Sequence, residues 1–179
     1  MAIRLSMTKP VRYLRQYGNA AEDDVFSGVT FWTDDQLLEI MDRFGQRGTH
    51  LMVPATQDYL TYVVNLPEHQ FIDSDTIVVI DSAGDTVSTT YTLNADRLEL
   101  VFDSALDDDE TYFIEALFFN MWLCLADLWQ QKAGQRAGFV DFKAGQNTIK
   151  LGQERDYCLK MSHHYRRKIG RRHHRRWRS

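Results

Sequence analysis

The chain has 179 residues, 44% of them hydrophobic and 26% charged, which suits one globular domain or one domain with an insertion. Its two cysteines do not indicate a disulfide framework, and the basic segment 1–17 lacks the apolar stretch of a secretory signal. The formal net charge of −4 hides an asymmetry: residues 166–179 hold eight Lys or Arg and no acid, whereas the other 165 carry 13 basic and 25 acidic groups, a net of −12.

The first 28 residues are predicted to form an extended N-terminal arm. Pro10, Gly18 and the acidic triplet at 22–24 interrupt any periodic pattern in this segment. Arms of this kind often become ordered only against a neighbouring chain.

A first helix is predicted over about 33–45. Thr33 is a favourable N-cap, and Gln36 three residues later completes the signature of a capping box. Gly45 and Gly48 are expected to end the helix, as glycines at helix C-termini do.

The period of the hydrophobic pattern changes to two in the region of about 49–105. Strand candidates there are rich in β-branched and aromatic residues, and turn residues separate them. The pattern predicts a small antiparallel sheet inserted after the first helix, with strands at 59–64, 76–80, 87–93 and 97–102.

A long apolar helix is predicted over about 110–137. Apolar residues fill most of its circumference, and the acidic run Asp107 to Glu110 would suit the positive end of its dipole. A membrane span is not expected, because Glu115, Asn120 and Asp127 interrupt the roughly 18 apolar residues that a span needs.

A third helix is predicted over about 153–169, with an apolar stripe that recurs every four residues. Two short extended pieces around a glycine turn precede it. Large side chains from this region and from the long helix are expected to form the core or a subunit interface. They are Phe118, Phe119, Trp122, Trp129, Phe139, Phe142, Tyr157, Met161 and Tyr165.

The predicted fold class is therefore α+β. A helical core of three helices (a short first helix, a long apolar helix and a C-terminal helix) carries a small inserted antiparallel sheet, with extended N- and C-terminal arms. Residues 1–28 are the N-terminal arm, 29–170 the folded domain, and 171–179 the basic C-terminal arm.

The sequence contains none of the catalytic or metal-binding motifs considered below. Cysteines and histidines are present at 124, 158, 163, 164, 173 and 174, but no C-x-x-C or H-E-x-x-H spacing occurs. The run Asp107 to Glu110 lacks the alternating ligands of a calcium loop, and neither a nucleophile elbow nor a phosphate-binding loop is present. We therefore expect no enzymatic activity, no cofactor and no metal.

The basic C-terminal tail is the strongest functional signal in the sequence. Eight like charges without a counter-charge usually meet phosphate or carboxylate groups, and a tryptophan among them adds an anchor. The residues concerned are Arg166, Arg167, Lys168, Arg171, Arg172, His173, His174, Arg175, Arg176, Trp177 and Arg178.

Several loose patterns of the chain are similar to those of one known family. They are the run from Thr30 to Leu37, the run Trp129 to Ala133, the F-x-D-F patch at Phe139 to Phe142, and Leu159 to Met161 with Tyr165. Over about 28–168 the chain resembles the head–tail connector (adaptor or neck) proteins of tailed bacteriophages.

The resemblance implies a structural subunit without enzymatic activity or cofactor. Such a subunit forms a ring of itself, commonly twelve copies, on the portal protein and joins it to a downstream neck or tail protein such as a stopper, tail terminator or tail tube. The expected location is the neck of the virion, after assembly in the host cytoplasm, without membrane contact. The C-terminal arm would dock on the portal, with DNA in the channel as a competing target. The alternative from another class is a DNA-binding architectural or regulatory protein that uses the basic tail on phosphates.

Overall fold

The protein is described by a computed structural model that covers residues 5–20, 24–26, 29–94, 98–135, 142–144, 147–149 and 151–173. The chain divides into two compact units. A helical unit comprises Met1–Phe44 and Asn120–Ser179, and a sheet unit comprises Gly45–Phe119.

Within these described residues, a 3-10 turn at Leu5–Met7 is followed by four α-helices and ten strands. In chain order these are α1 (Thr8–Gly18), β1 (Asp24–Phe26), β2 (Val29–Phe31), α2 (Asp34–Arg43), β3 (Gly45–Pro54), β4 (Thr61–Val64), β5 (Gln70–Ile80), β6 (Tyr91–Asn94), β7 (Glu99–Phe102), β8 (Phe113–Asn120), α3 (Met121–Gln135), β9 (Phe142–Ala144), β10 (Asn147–Ile149) and α4 (Leu151–His173).

Helix α1 lies where the sequence predicted an extended arm, and that prediction is wrong. Pro10 occupies the first turn of the helix, where a backbone N–H has no intrahelical acceptor, so it does not break the helix. Val11, Leu14 and Gly18 lie on one buried face. A Cβ on Gly18 would come within 2.1 Å of the Leu128 Cδ2 atom, so the glycine permits close packing of α1 on α3.

Helix α2 begins as predicted. The Thr33 hydroxyl accepts the Gln36 N–H at 3.4 Å, and the Gln36 side chain accepts the Thr33 N–H at 3.1 Å, which confirms the capping box. Arg43 in the last turn pairs with Asp127 of α3 at 3.2 Å. The helix ends at Arg43, and β3 starts at Gly45.

The C-terminal end of α1 is held by a buried lysine. Lys132 of α3 is 5% exposed, and its ammonium donates to the Gly18 carbonyl at 2.9 Å and to the Asn19 carbonyl. Asn19 adopts a left-handed conformation (φ 48°) that ends the helix. The ammonium also lies 5.5 Å from the Trp32 ring and 5.0 Å from the Trp129 ring. Lys132 thus replaces the missing hydrogen-bond partners of the helix end and joins three segments of the helical unit.

Helices α3 and α4 pack along their length. Ser162 of α4 is buried, and its hydroxyl donates to the Ala126 carbonyl of α3 at 2.8 Å. The Trp129 ring meets the Tyr157 ring edge-on, with centroids 5.7 Å apart. Helix α4 runs to His173, so it is longer than predicted and includes the first part of the basic segment.

The sheet unit is one six-stranded antiparallel sheet with the order β5-β8-β3-β4-β7-β6. Strands β3 and β8 pair over seven positions, from Gly45 opposite Phe119 to Leu51 opposite Phe113. The two outermost strands are also bridged: Tyr91 of β6 donates to the Ile77 carbonyl of β5 at 3.3 Å. The sheet is therefore nearly closed on itself, which protects its edges.

The interior of the sheet unit contains alternate residues of the strands. The largest are aromatic, and Tyr62 meets both Phe102 and Tyr112 edge-on. The cluster consists of Met52, Tyr62, Val64, Ile72, Val79, Leu100, Phe102, Leu106, Tyr112, Ile114, Ala116 and Phe118.

The predicted long helix over 110–137 is wrong in its first half. Residues Phe113–Asn120 form strand β8, and α3 begins only at Met121. Because Ile114, Ala116, Phe118 and Phe119 are buried while the intervening residues are half-buried, the strand carries apolar residues on both faces and resembles a buried helix in sequence.

The predicted fold class is consequently wrong. In the part of the chain that the structure describes, four helices accompany a six-stranded, nearly closed sheet, rather than three helices that carry a small one. The four predicted strands overlap β4, β5, β6 and β7, but β3 and β8 were missed. Gly45 was expected to end a helix, yet it belongs to β3, where a Cβ would lie 3.0 Å from the Phe119 ring.

We expect Lys132→Met to lower the free energy of unfolding by about 2–4 kcal/mol, because the carbonyls of Gly18 and Asn19 lose their charged donor. Urea denaturation followed by circular dichroism measures the change. The matched control is Lys160→Met on the exposed face of α4, which should alter the value by less than about 0.5 kcal/mol. Equal stability of the two variants would contradict a capping role for Lys132.

Candidate functional site

The candidate site is a positively charged face of α4, called the basic face below. Its residues lie at one position of α4 and at three, four, seven and eight positions after it, which places them on one side of the helix. They line an open groove of about 570 Å³. The basic face consists of Lys160, His163, His164, Arg167 and Lys168.

Within the described residues, Lys160 and Arg167 of the basic face form no ion pair, although Asp156 lies one helical turn before Lys160. No acid follows Asp156 in the sequence. The adjacent Arg166 likewise makes no ion pair with a carboxylate in the described part of the chain. Lys160, Arg166 and Arg167 are exposed. Such an arrangement attracts an anionic partner from outside.

Aromatic rings position the last cation of the basic face. The Lys168 ammonium lies 5.6 Å from the Trp122 ring of α3 and 5.2 Å from the Tyr165 ring. Burial raises the pKa of Tyr165, so its hydroxyl stays neutral and the lysine faces an uncharged aromatic surface. Lys168 is therefore held against the helix pair, whereas Lys160 and Arg167 extend into solvent.

The structure describes only part of the predicted basic arm. The backbone of Arg171, Arg172 and His173 continues α4 to its end. His174, Arg175, Arg176, Trp177 and Arg178 lie outside the described residues. The proposed partner of this segment therefore stays a prediction.

The predicted packing residues fall into separate environments. Phe118 and Phe119 are buried in β8, and Trp129 and Tyr165 are buried in the helical unit. Trp122 and Met161 are half-buried, and Tyr157 is 55% exposed. Phe139 lies outside the described residues, and for Phe142 only the backbone of β9 is described.

The sheet unit is strongly acidic. It holds 14 Asp or Glu and 2 Arg, a formal net of −12, whereas the helical unit holds 19 basic and 11 acidic residues, a net of +8. The sheet unit also exposes apolar side chains, among them Leu51, Val53 and Val101. The two units thus offer surfaces of opposite charge.

The run Asp107 to Glu110 does not begin a helix, contrary to the prediction. It forms the connection between β7 and β8, where the Asp107 carboxylate accepts the Asp109 N–H at 3.2 Å. The carboxylates of Asp107, Asp108 and Asp109 are exposed and lie within 4.8 Å of one another. In the described residues this is the one group of three or more potential ligands, and Cys124, Cys158, His163 and His164 form no such group.

Two features of the molecule were not predicted from the sequence: the basic face of α4, and the capping of α1 by Lys132. Lys160, His163 and His164 share a helix face with Arg167 and Lys168, and their spacing alone was sufficient to show this. Lys132 carried no comparable signal, because its partners are backbone carbonyls of a distant segment.

Comparison with known proteins adds no relative: no protein-family model, curated protein or solved structure matches the chain. Among the helices that the structure describes, none combines the length and the apolarity needed to cross a membrane.

We expect the Cys124 thiol to be unreactive in the folded protein. Burial raises its pKa to about 12, and the thiolate is the reactive form. Because the folded-state pKa lies above the ordinary thiol value of 9.0, the associated stability is present at neutral pH and is lost as the pH rises from about 9 towards 12.

A disulfide reagent such as Ellman's, applied at a pH of about 8 to the Cys158→Ala variant, should label no thiol before urea is added and one thiol afterwards. Adding Ser82→Cys in an exposed turn of the same variant provides a positive control. Rapid labelling of the Cys158→Ala variant in the absence of urea would show that Cys124 is accessible, and would contradict the prediction.

Proposed function

We propose that the protein is a structural head–tail connector subunit of a tailed bacteriophage. Twelve copies form a ring that docks on the portal, joins it to a downstream neck or tail protein and keeps the DNA exit channel continuous. The subunit is not an enzyme and uses no cofactor. Its place is the neck of the virion.

The observation that carries the proposal is the concentration of uncompensated cations at the end of α4. Arg166 is exposed without a described carboxylate partner, and the chain continues through Arg171 and Arg172. Arginine pairs with carboxylates through two parallel hydrogen bonds, which gives a docking contact both strength and direction. A chain end of this kind suits attachment to an acidic protein surface.

The support for a ring differs from that expected in the sequence. Part of the apolar run that was expected to form the core or a subunit interface is accounted for within one copy, because Phe118 and Phe119 are buried in β8. Exposed apolar residues on the sheet, with Leu51 at 49% and Val101 at 41%, now support contact between copies. These residues are spread over β3 and β7.

DNA binding is the second candidate function. The basic face favours it, because lysines and arginines without counter-charge neutralise phosphates and release counterions. The net charge of −12 on the sheet unit disfavours it, since that unit repels a polyanion. We therefore rank portal docking above DNA binding.

The test removes the arm and measures attachment to the portal. Deletion of Arg171–Ser179 should abolish co-sedimentation with purified, DNA-free portal, because the deletion removes five arginines. Arg155→Ala, at the opposite end of α4 and exposed, is the control and should bind normally.

Electron microscopy of the mixture would show whether a ring is present on the portal. Unchanged attachment of the truncated chain would contradict portal docking by the arm. A salt-dependent gel shift of DNA that the deletion abolishes, together with unchanged attachment, would favour the second candidate.

A further inference from the structure

The two units of the chain carry opposite charge, and this asymmetry is larger than the net charge suggests. The sheet unit has a formal net of −12 and the helical unit one of +8, although the whole chain has only −4. Separated surface charges of this size steer association and select its orientation. Two copies that present the same unit to each other repel.

The basic face is suited to an extended acidic surface. From Lys160 to Lys168 it extends about 12 Å along α4 at 1.5 Å per residue. Its groove is open, and neither Lys160 nor Arg167 forms an ion pair with a described carboxylate. A partner must therefore supply several carboxylates spread along a comparable length.

The sheet unit provides exposed carboxylates in two of its turns. Asp85 lies in the turn after β5, and Asp108 and Asp109 lie in the connection between β7 and β8. All three side chains are exposed, and the only two basic residues of the unit are Arg47 and Arg97. Arg47 is already paired with Glu115 at 3.2 Å.

We propose that the basic face of one copy docks on the acidic surface of the sheet unit of a second copy. The occupant is a second copy rather than DNA, because every copy presents the complementary charge while its own acidic unit repels nucleic acid. In this contact Arg167 and Lys168 bind the neighbouring copy, and the arm beyond Gly170 stays available to bind the portal.

Each copy then has one basic and one acidic docking surface, which permits association in one direction around a ring. The inference rests on the proposed function only for the closure of that ring. The contact itself is tested with the purified chain alone, so failure of the test leaves portal docking by the arm intact, and failure of portal docking leaves this contact intact.

The experiment is a charge exchange between copies, measured by sedimentation velocity. Lys160→Glu with Arg167→Glu reverses the basic face, and Asp85→Lys with Asp108→Lys and Asp109→Lys reverses part of the acidic surface. All five positions are exposed, so circular dichroism should show folded variants. Arg155→Glu on the same helix, outside the basic face, is the control for charge alone.

We expect the wild-type chain to associate at about 50 mM salt and to dissociate at about 500 mM salt, as screening requires. Each reversed variant alone should associate about tenfold more weakly or worse. An equimolar mixture of the two should recover association, because each reversed surface then meets an opposite charge. The Arg155→Glu control should behave as the wild type.

Three results would overturn the proposal. The first is a wild-type chain that stays monomeric at low salt, including one that binds a DNA duplex under those conditions. The second is unchanged association of the variant with the reversed basic face. The third is a mixture of the two folded variants that stays as weak as each variant alone.

Discussion

The helical unit depends on the buried ammonium of Lys132. The last carbonyls of α1 have no helical partner, and Gly18 and Asn19 offer theirs to this one side chain. Trp32 and Trp129 lie beside the charge, so it is held by aromatic faces as well as by hydrogen bonds. Arg15 continues the connection by pairing with Asp34 at the start of α2. Lys132 therefore joins α1 to α3, the Arg15–Asp34 pair joins α1 to α2, and α4 packs on α3 through Ser162.

The separation of acidic and basic residues between the two units is the basis of both proposed binding contacts. Acidic residues are concentrated in a sheet unit whose edges are protected, and basic residues are concentrated towards the end of a helix that packs firmly on α3. A rigid helix holds Lys160 and Arg167 at a constant distance, whereas a free tail would lose more conformational entropy on docking. The proposed contacts with a neighbouring copy and with a portal follow from the same separation, and both are electrostatic. Both should weaken as salt is added.

Local patterns predicted some elements correctly and failed where a residue had two roles. The capping box at Thr33 was found, because both of its hydrogen bonds lie within four residues. Pro10 and Gly18 were interpreted as helix breakers, although one is tolerated in a first turn and the other makes room for Leu128. Phe113–Asn120 was assigned to a helix because both faces of β8 are apolar. The cations of the basic face were predicted only in part from the sequence, since Arg167 and Lys168 were named as site residues and Lys160 was not.

The sequence by itself determined the charge asymmetry, the capping box, the approximate positions of four strands and the basic end of the chain, because each depends on composition or on residues close in sequence. The tertiary structure alone decided that β3 and β8 pair, that the six strands nearly close on themselves, and that Lys132 caps α1. These features join segments far apart in the chain, such as Gly18 and Lys132. Their partners are backbone groups and small side chains, which leave no periodic signal in the sequence.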